Sequence, residues 1–93
     1  MEYEFDEDKS KKLRRERGFG FEEMITLMEA GHIVQTYDHP NQKDYPGQRI
    51  FEVNFEGYIW RIAHVKKSEC IRLITCYACR TATRKLRKKR SNI

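Results

Sequence analysis

The chain has 93 residues, of which 39% are hydrophobic and 12% aromatic, enough for one domain over residues 1–93 with one modest core. It carries 19 Lys and Arg against 14 Asp and Glu, a formal charge of +5. No apolar run approaches the roughly 18 residues of a membrane span, and the acidic start, MEYEFDED, does not read as a signal peptide. The expectations are therefore no membrane partner and a cytoplasmic location. Three cysteines, Cys70, Cys76 and Cys79, are an odd count and argue against a disulfide framework. Cys76 and Cys79 make a single C-x-x-C, without the second pair that a zinc site normally needs. Free thiols, no metal and no cofactor are expected.

In chain order, Tyr3 to Phe5 reads as a short edge strand. Asp6 suits an N-cap, and Glu7 to Arg17 follows as a charged surface helix closed by Gly18. A second helix, Phe21 to Ala30, repeats Phe21, Met24, Ile25, Leu27 and Met28 at helical spacing, a core stripe. The pattern then turns strand-like: HIVQTYD, a loop holding Pro40 and Pro46, and QRIFEVNF. Glu56-Gly57 reads as a two-residue hairpin turn into a strand from Tyr58 to Lys66. Lys67-Ser68 reads as a second tight turn into Glu69 to Tyr77. A basic helix starts near Thr81.

The hairpin fixes a register. Phe55 faces Tyr58, Val53 faces Trp60, Phe51 faces Ile62 and Arg49 faces His64. The second turn places His64 opposite Ile71, Ile62 opposite Leu73 and Trp60 opposite Thr75. Side chains alternate across a sheet, so Phe51, Val53, Phe55, Tyr58, Trp60, Ile62, Ile71 and Leu73 share the face that meets the Met-rich helix. The other face carries Glu52 opposite Arg61, read as a structural cross-strand pair, with Arg72, Cys76 and an asparagine and a glutamine. That mixture is a solvated or binding face rather than a core, and Arg72, with no acid across from it, is its functional candidate. Tyr77, at a strand end, is open to base stacking. Tyr58 and Trp60 fall on the core side. His32 and His39 receive no role.

The C-terminal end is the most polarised part of the chain. Arg80 to Arg90 contains seven of the 19 basic residues and no acid, which leaves the remainder with 12 bases against 14 acids. Charge segregated on one short element points to a polyanion, with RNA or DNA first. A solvated basic helix with no partner is the bland reading.

Several motifs, in order, resemble the BrnT-type toxins of bacterial toxin–antitoxin pairs. They are Phe5-Asp6-Glu7-Asp8-Lys9, a basic helix and glycine before Phe21-Glu22-Glu23, the Tyr45 to Gly57 segment with its acidic-Gly hairpin, and strands holding His64 and Arg72. Arg80, Ala82 and Thr83 then supply an R-x-A-T before the basic helix. The resemblance spans nearly the whole chain. It implies an α+β, RelE-like fold: two N-terminal helices packed on a small antiparallel sheet, with a basic C-terminal helix. It also implies a ribonuclease that cleaves RNA without a metal, inhibits translation, and is neutralised in a hetero-oligomer by a cognate DNA-binding antitoxin of ribbon-helix-helix or similar type. By position, Lys9, His64, Arg72 and Arg80 are the implied catalytic residues.

Metal-free RNA cleavage needs a base near the 2′-OH, an acid at the leaving oxygen and cations on the phosphate. His64 suits acid or base work, and Arg72 and Arg80 suit the phosphate. Arg61, Arg84, Lys85, Arg87 and Lys88, with Lys89 and Arg90, are the expected RNA contacts, or equally the surface an antitoxin covers. The chain departs from the family where Leu86 stands in place of a usual Glu, and no Tyr follows Tyr77. The alternatives are a non-enzymatic nucleic-acid-binding protein, such as a degenerate toxin, and a basic protein-docking module.

Overall fold

The computed structural model of the chain describes residues 2–91, with side chains to residue 88. Strand β1 (Glu2–Phe5) leads into helix α1 (Glu7–Arg17). The Asp6 carboxylate caps it, accepting from the backbone N–H groups of Asp8 at 2.8 Å and Lys9 at 3.3 Å, donors that a helix start leaves without partners. Gly18, at φ 84°, closes the helix in the left-handed conformation and donates to Arg14 O at 2.9 Å.

Helix α2 (Phe21–Glu29) is clamped to α1 by polar groups. Ser10 is 3% exposed; its hydroxyl donates to Glu22 Oε1 and accepts from Phe21 N–H at 2.9 Å. Arg14 bridges Glu22 at 3.2 Å and Glu23 at 2.7 Å; the Ser10 hydroxyl foremost, with Arg14, holds the Glu22 carboxyl below its ordinary range, and Arg14 foremost holds Glu23 below its own. Gly20 is needed for this approach, since a Cβ there would run into Ser10 Oγ.

Four more strands follow: β2 (Ile33–Asp38), β3 (Arg49–Phe55), β4 (Tyr58–Lys66) and β5 (Cys70–Ala78). The sheet order is β1-β5-β4-β3-β2, with β1 parallel to β5 and the other neighbours antiparallel. The sheet is therefore mixed, which corrects the purely antiparallel expectation. No tight turn joins β1 to β5, so nothing in the connection forces them to run oppositely.

The β3–β4 register is the one expected, with Arg49 opposite His64 and Phe55 opposite Tyr58. Glu56 and Gly57 take φ values of 53° and 82°, the twist a two-residue hairpin prefers, and Asn54 Oδ1 accepts from Gly57 N–H at 2.9 Å. The β4–β5 register differs. The turn falls on Ser68-Glu69, with Lys67 N–H donating to Cys70 O at 2.8 Å, and His64 faces Leu73 instead of Ile71. That two-residue slip leaves each side chain on its expected face. An irregularity then follows: His64 pairs with Leu73 but Ala63 with Thr75, so Ile74 is an extra residue in β5. Beyond it the faces exchange. Cys76 packs against the core instead of the polar face, and burial pushes its thiol up to about 12. Tyr77 lands opposite Arg61.

One face of the sheet holds the main core. Phe19, Phe21, Met24 and Met28 pack against Phe51, Val53, Trp60, Ile62, Ile71 and Leu73. Helix α3 (Arg80–Ser91) lies on the other face. Cys79 N–H donates to Ile59 O at 2.8 Å, and Ile59 N–H donates to Thr83 Oγ1 at 2.9 Å, which joins the start of the helix to β4. Thr83, Ala82, Ile59, Ile50 and Ala63 are buried there. The polar face thus has a small core of its own, a correction to the sequence reading. No helix among the described residues is long and apolar enough to cross a membrane.

Candidate nucleic-acid interface

Helix α3 covers only part of its face. Between it and strands β2 and β3 lies a cleft of about 380 Å³, within the usual size range of small-ligand sites. Ile50 and Ile59 form an apolar floor. Lys85 and Leu86 line it from α3, Val34 and Tyr37 from β2, and His39 and Pro40 from the loop beyond β2.

A single row of residues crosses this cleft from strand to strand. Gln35 faces Glu52, Glu52 faces Arg61, and Arg61 faces Tyr77, and all four line the cleft. Glu52 is 7% exposed. Its Oε2 accepts from Tyr37 Oη–H at 2.7 Å and from Arg61 Nε–H at 3.0 Å, and the Arg61 guanidinium stands 6.0 Å from the centre of the Tyr37 ring. Burial raises the Tyr37 pKa and the bond to Glu52 raises it further. Burial acts to lower the Arg61 pKa, but the Glu52 bond together with the nearby Tyr37, Cys79 and Glu52 groups outweighs it, and the guanidinium is held above its ordinary value. The cleft therefore holds a phenol and a guanidinium in fixed roles, both donating to Glu52. Both bonds to Glu52 fall on Oε2, and among the described residues no fully buried side-chain oxygen lacks a partner.

The loop at the mouth is ordered by its own side chains. Gln42 donates from Nε2 to His39 O at 2.9 Å and Gln48 O at 3.0 Å, and accepts from Gly47 N–H at 3.0 Å. His39 lies 4.4 Å from the Tyr45 ring, and its Nδ1 accepts from Asn41 N–H at 3.0 Å, which places the ring proton on Nε2.

The residues expected to act together are divided by the sheet. His64 is 2% exposed on the α1/α2 side, stacked 3.7 Å from Phe51 with its Nδ1 3.1 Å from Ile62 O. Burial, then the nearby Arg49 charge, lower its pKa, against the opposing pull of the Ile62 carbonyl. Lys9 lines a separate shallow hollow beside Leu13 and Cys76, and its Nζ donates to Ile74 O at 3.3 Å, at the β5 irregularity. Arg72 is not unpaired as expected. Its neighbour β1 brings Glu4 to 3.5 Å, and Glu4 also holds Lys67 at 2.6 Å. Arg80 is exposed in the first turn of α3. No described cleft joins these four. Arg61 and Lys85 do share the cleft, while Arg84, Arg87 and Lys88 are exposed along α3. The Lys89 and Arg90 side chains lie outside the described residues.

Tyr37, Glu52 and His39 are the cleft residues the sequence reading missed as site groups. Glu52 was legible as the partner of Arg61, and the pair is present. Tyr37 required the β2–β3 register, which contains an irregularity between Ile33 and Gln35. Cys76 and Cys79 sit on different sides of the sheet, and among the described residues no three metal-ligand side chains converge. No family model, curated protein or solved structure matches the chain.

Proposed function

We propose that the chain acts on RNA as a ribonuclease toxin of a type II pair, with a RelE-like fold, neutralised by a DNA-binding antitoxin. The observation that carries this reading is the cleft itself, where a basic helix faces a sheet row holding Arg61, Glu52 and Tyr77. In α3 the charge is one-sided: Arg80, Arg84, Lys85, Arg87 and Lys88 stand in its first nine residues, with no acid. A strand of RNA laid along this face would meet cations on its phosphates and an open aromatic ring for a base. By register Arg72 belongs to the same face as Arg61, but the length of β5 separates it from Arg80 at the start of α3, so the two are cations for different phosphates of one RNA strand. Attack of the 2′-oxygen on a phosphorus held on this face would break its bond to the 5′-oxygen, which takes up the proton that the 2′-hydroxyl loses, and leave a 2′,3′-cyclic phosphate.

Inducing the chain in bacteria tests the reading. Growth arrest with loss of intact RNA is expected, relieved by Arg72→Ala with Arg80→Ala. Cultures that grow like an uninduced control would end it. The second reading, binding without cleavage, is favoured by the separation of Lys9 and His64 from Arg72 and Arg80 and by Leu86 in the cleft wall. It expects RNA affinity that falls steeply with salt, with no cleavage products.

A further inference from the structure

We infer that the cleft between α3 and strands β2–β3 is a nucleotide site that takes one unpaired base, with its phosphate on the basic helix. The inference rests on the reading above only for the source of the nucleotide. Its other grounds are the shape and chemistry of the cleft.

Three properties of the cleft must be matched by one ligand. The floor is apolar, made by Ile50 and Ile59 on a sheet face. Beside it Tyr77 is 44% exposed, one of the few large aromatic side chains that the fold leaves open. A planar aromatic body satisfies both, and stacking works for any base because each has a π-face. The second property is the polar edge. Glu52 Oε2 accepts from Arg61 Nε–H at 3.0 Å, so a carboxyl and a guanidinium stand side by side in the cleft, and the Arg61 side chain is 33% exposed. An acceptor beside a two-pronged donor fits the edge of a nucleobase, where donors and acceptors alternate. A purely apolar ligand would leave the carboxylate facing hydrocarbon. A purely anionic one would meet its charge. The third property is the rim, where Lys85 lines the cleft and Arg84 and Lys88 flank it on an acid-free helix. A phosphate attached to the base would sit there. A nucleotide unites all three properties.

The experiment is calorimetric titration of the full chain with the four nucleoside 3′-monophosphates, with ribose 5-phosphate, and with a single-stranded RNA pentamer. The expected result is one nucleotide bound per chain, with ribose 5-phosphate at least about ten-fold weaker, as loss of a stacked base requires. Tyr77→Ala should weaken nucleotide binding by about 5- to 100-fold, while Tyr77→Phe, which keeps the ring, should bind within about two-fold of the parent. Lys12→Ala removes an exposed cation of α1, on the other side of the sheet from the cleft, and should change nothing. Base-free sugar phosphate binding as tightly as the nucleotides, or Tyr77→Ala binding like the parent, would overturn the inference. A pentamer bound more tightly than a monophosphate identifies RNA as the source; the reverse identifies a free nucleotide. Nucleotide binding without growth arrest keeps this site and removes the toxin reading. Growth arrest without nucleotide binding does the opposite.

Discussion

On the side that carries α1 and α2, Met24, Val53 and Ile62 are fully shut away and Phe21 is 2% exposed. Even His64, on that side, is stacked on a phenylalanine, and burial lowers its pKa. On the side that carries α3, the row Gln35–Glu52–Arg61–Tyr77 runs from an exposed glutamine through the buried Glu52 and half-buried Arg61 to an open aromatic ring, and the helix above it is cationic. The same five strands present both. What separates them is the partner each face receives. The first meets two helices whose apolar stripe is wide enough to seal it. The second meets a helix that offers Ala82, Thr83 and Leu86 to the sheet and little else. A helix so poor in apolar groups cannot cover the whole face, and the uncovered part is the cleft.

If the division is real, damage to each face should read out differently. Met24→Ala should cost the most stability, about 2–5 kcal/mol, because a sealed core cannot collapse around the lost side chain. Urea unfolding measures this, and RNA affinity per folded molecule should not change. Thr83→Val should cost about 1–3 kcal/mol, since it leaves the buried Ile59 N–H without its acceptor. Here RNA affinity should fall as well, because the start of α3 is a wall of the cleft. A Thr83→Val protein with parental RNA affinity would break the comparison.

The smallest effect concerns pH. Folded His64 is harder to protonate than unfolded His64, whose ordinary value is 6.5. As the pH falls below that value the unfolded chain takes up the proton first, so stability falls until the folded ring also titrates. His64→Gln should flatten this slope, by no more than about 1.4 kcal/mol per pH unit. Thermal unfolding between pH 7 and pH 5 checks it.

Much of this architecture was legible in the residues. Asp6 and Gly18 bracket α1 as expected because capping is a local matter, settled by the backbone groups at each helix end. The Glu56-Gly57 turn fixed the β3–β4 register for the same reason. The misreadings lie where distant segments decide. The Ile74 irregularity exchanges the faces of Cys76 and Tyr77, and it comes where Lys9, from α1, donates to the Ile74 carbonyl. The parallel pairing of β1 supplies Glu4 to Arg72, an acid that the antiparallel register did not contain. Tyr37 reaches Glu52 across a β2–β3 pairing joined by a ten-residue loop, 39–48, whose length hides the register.

Amide chemical-shift mapping of the labelled chain with a short single-stranded RNA decides whether the α3 face or the α1/α2 face meets nucleic acid. Shifts should concentrate at Tyr37, Glu52, Arg61, Tyr77 and the Ala82–Leu86 stretch, with α1 and α2 silent. Shifts centred on Lys9, Lys12 and Leu13, with the cleft silent, would contradict this placement.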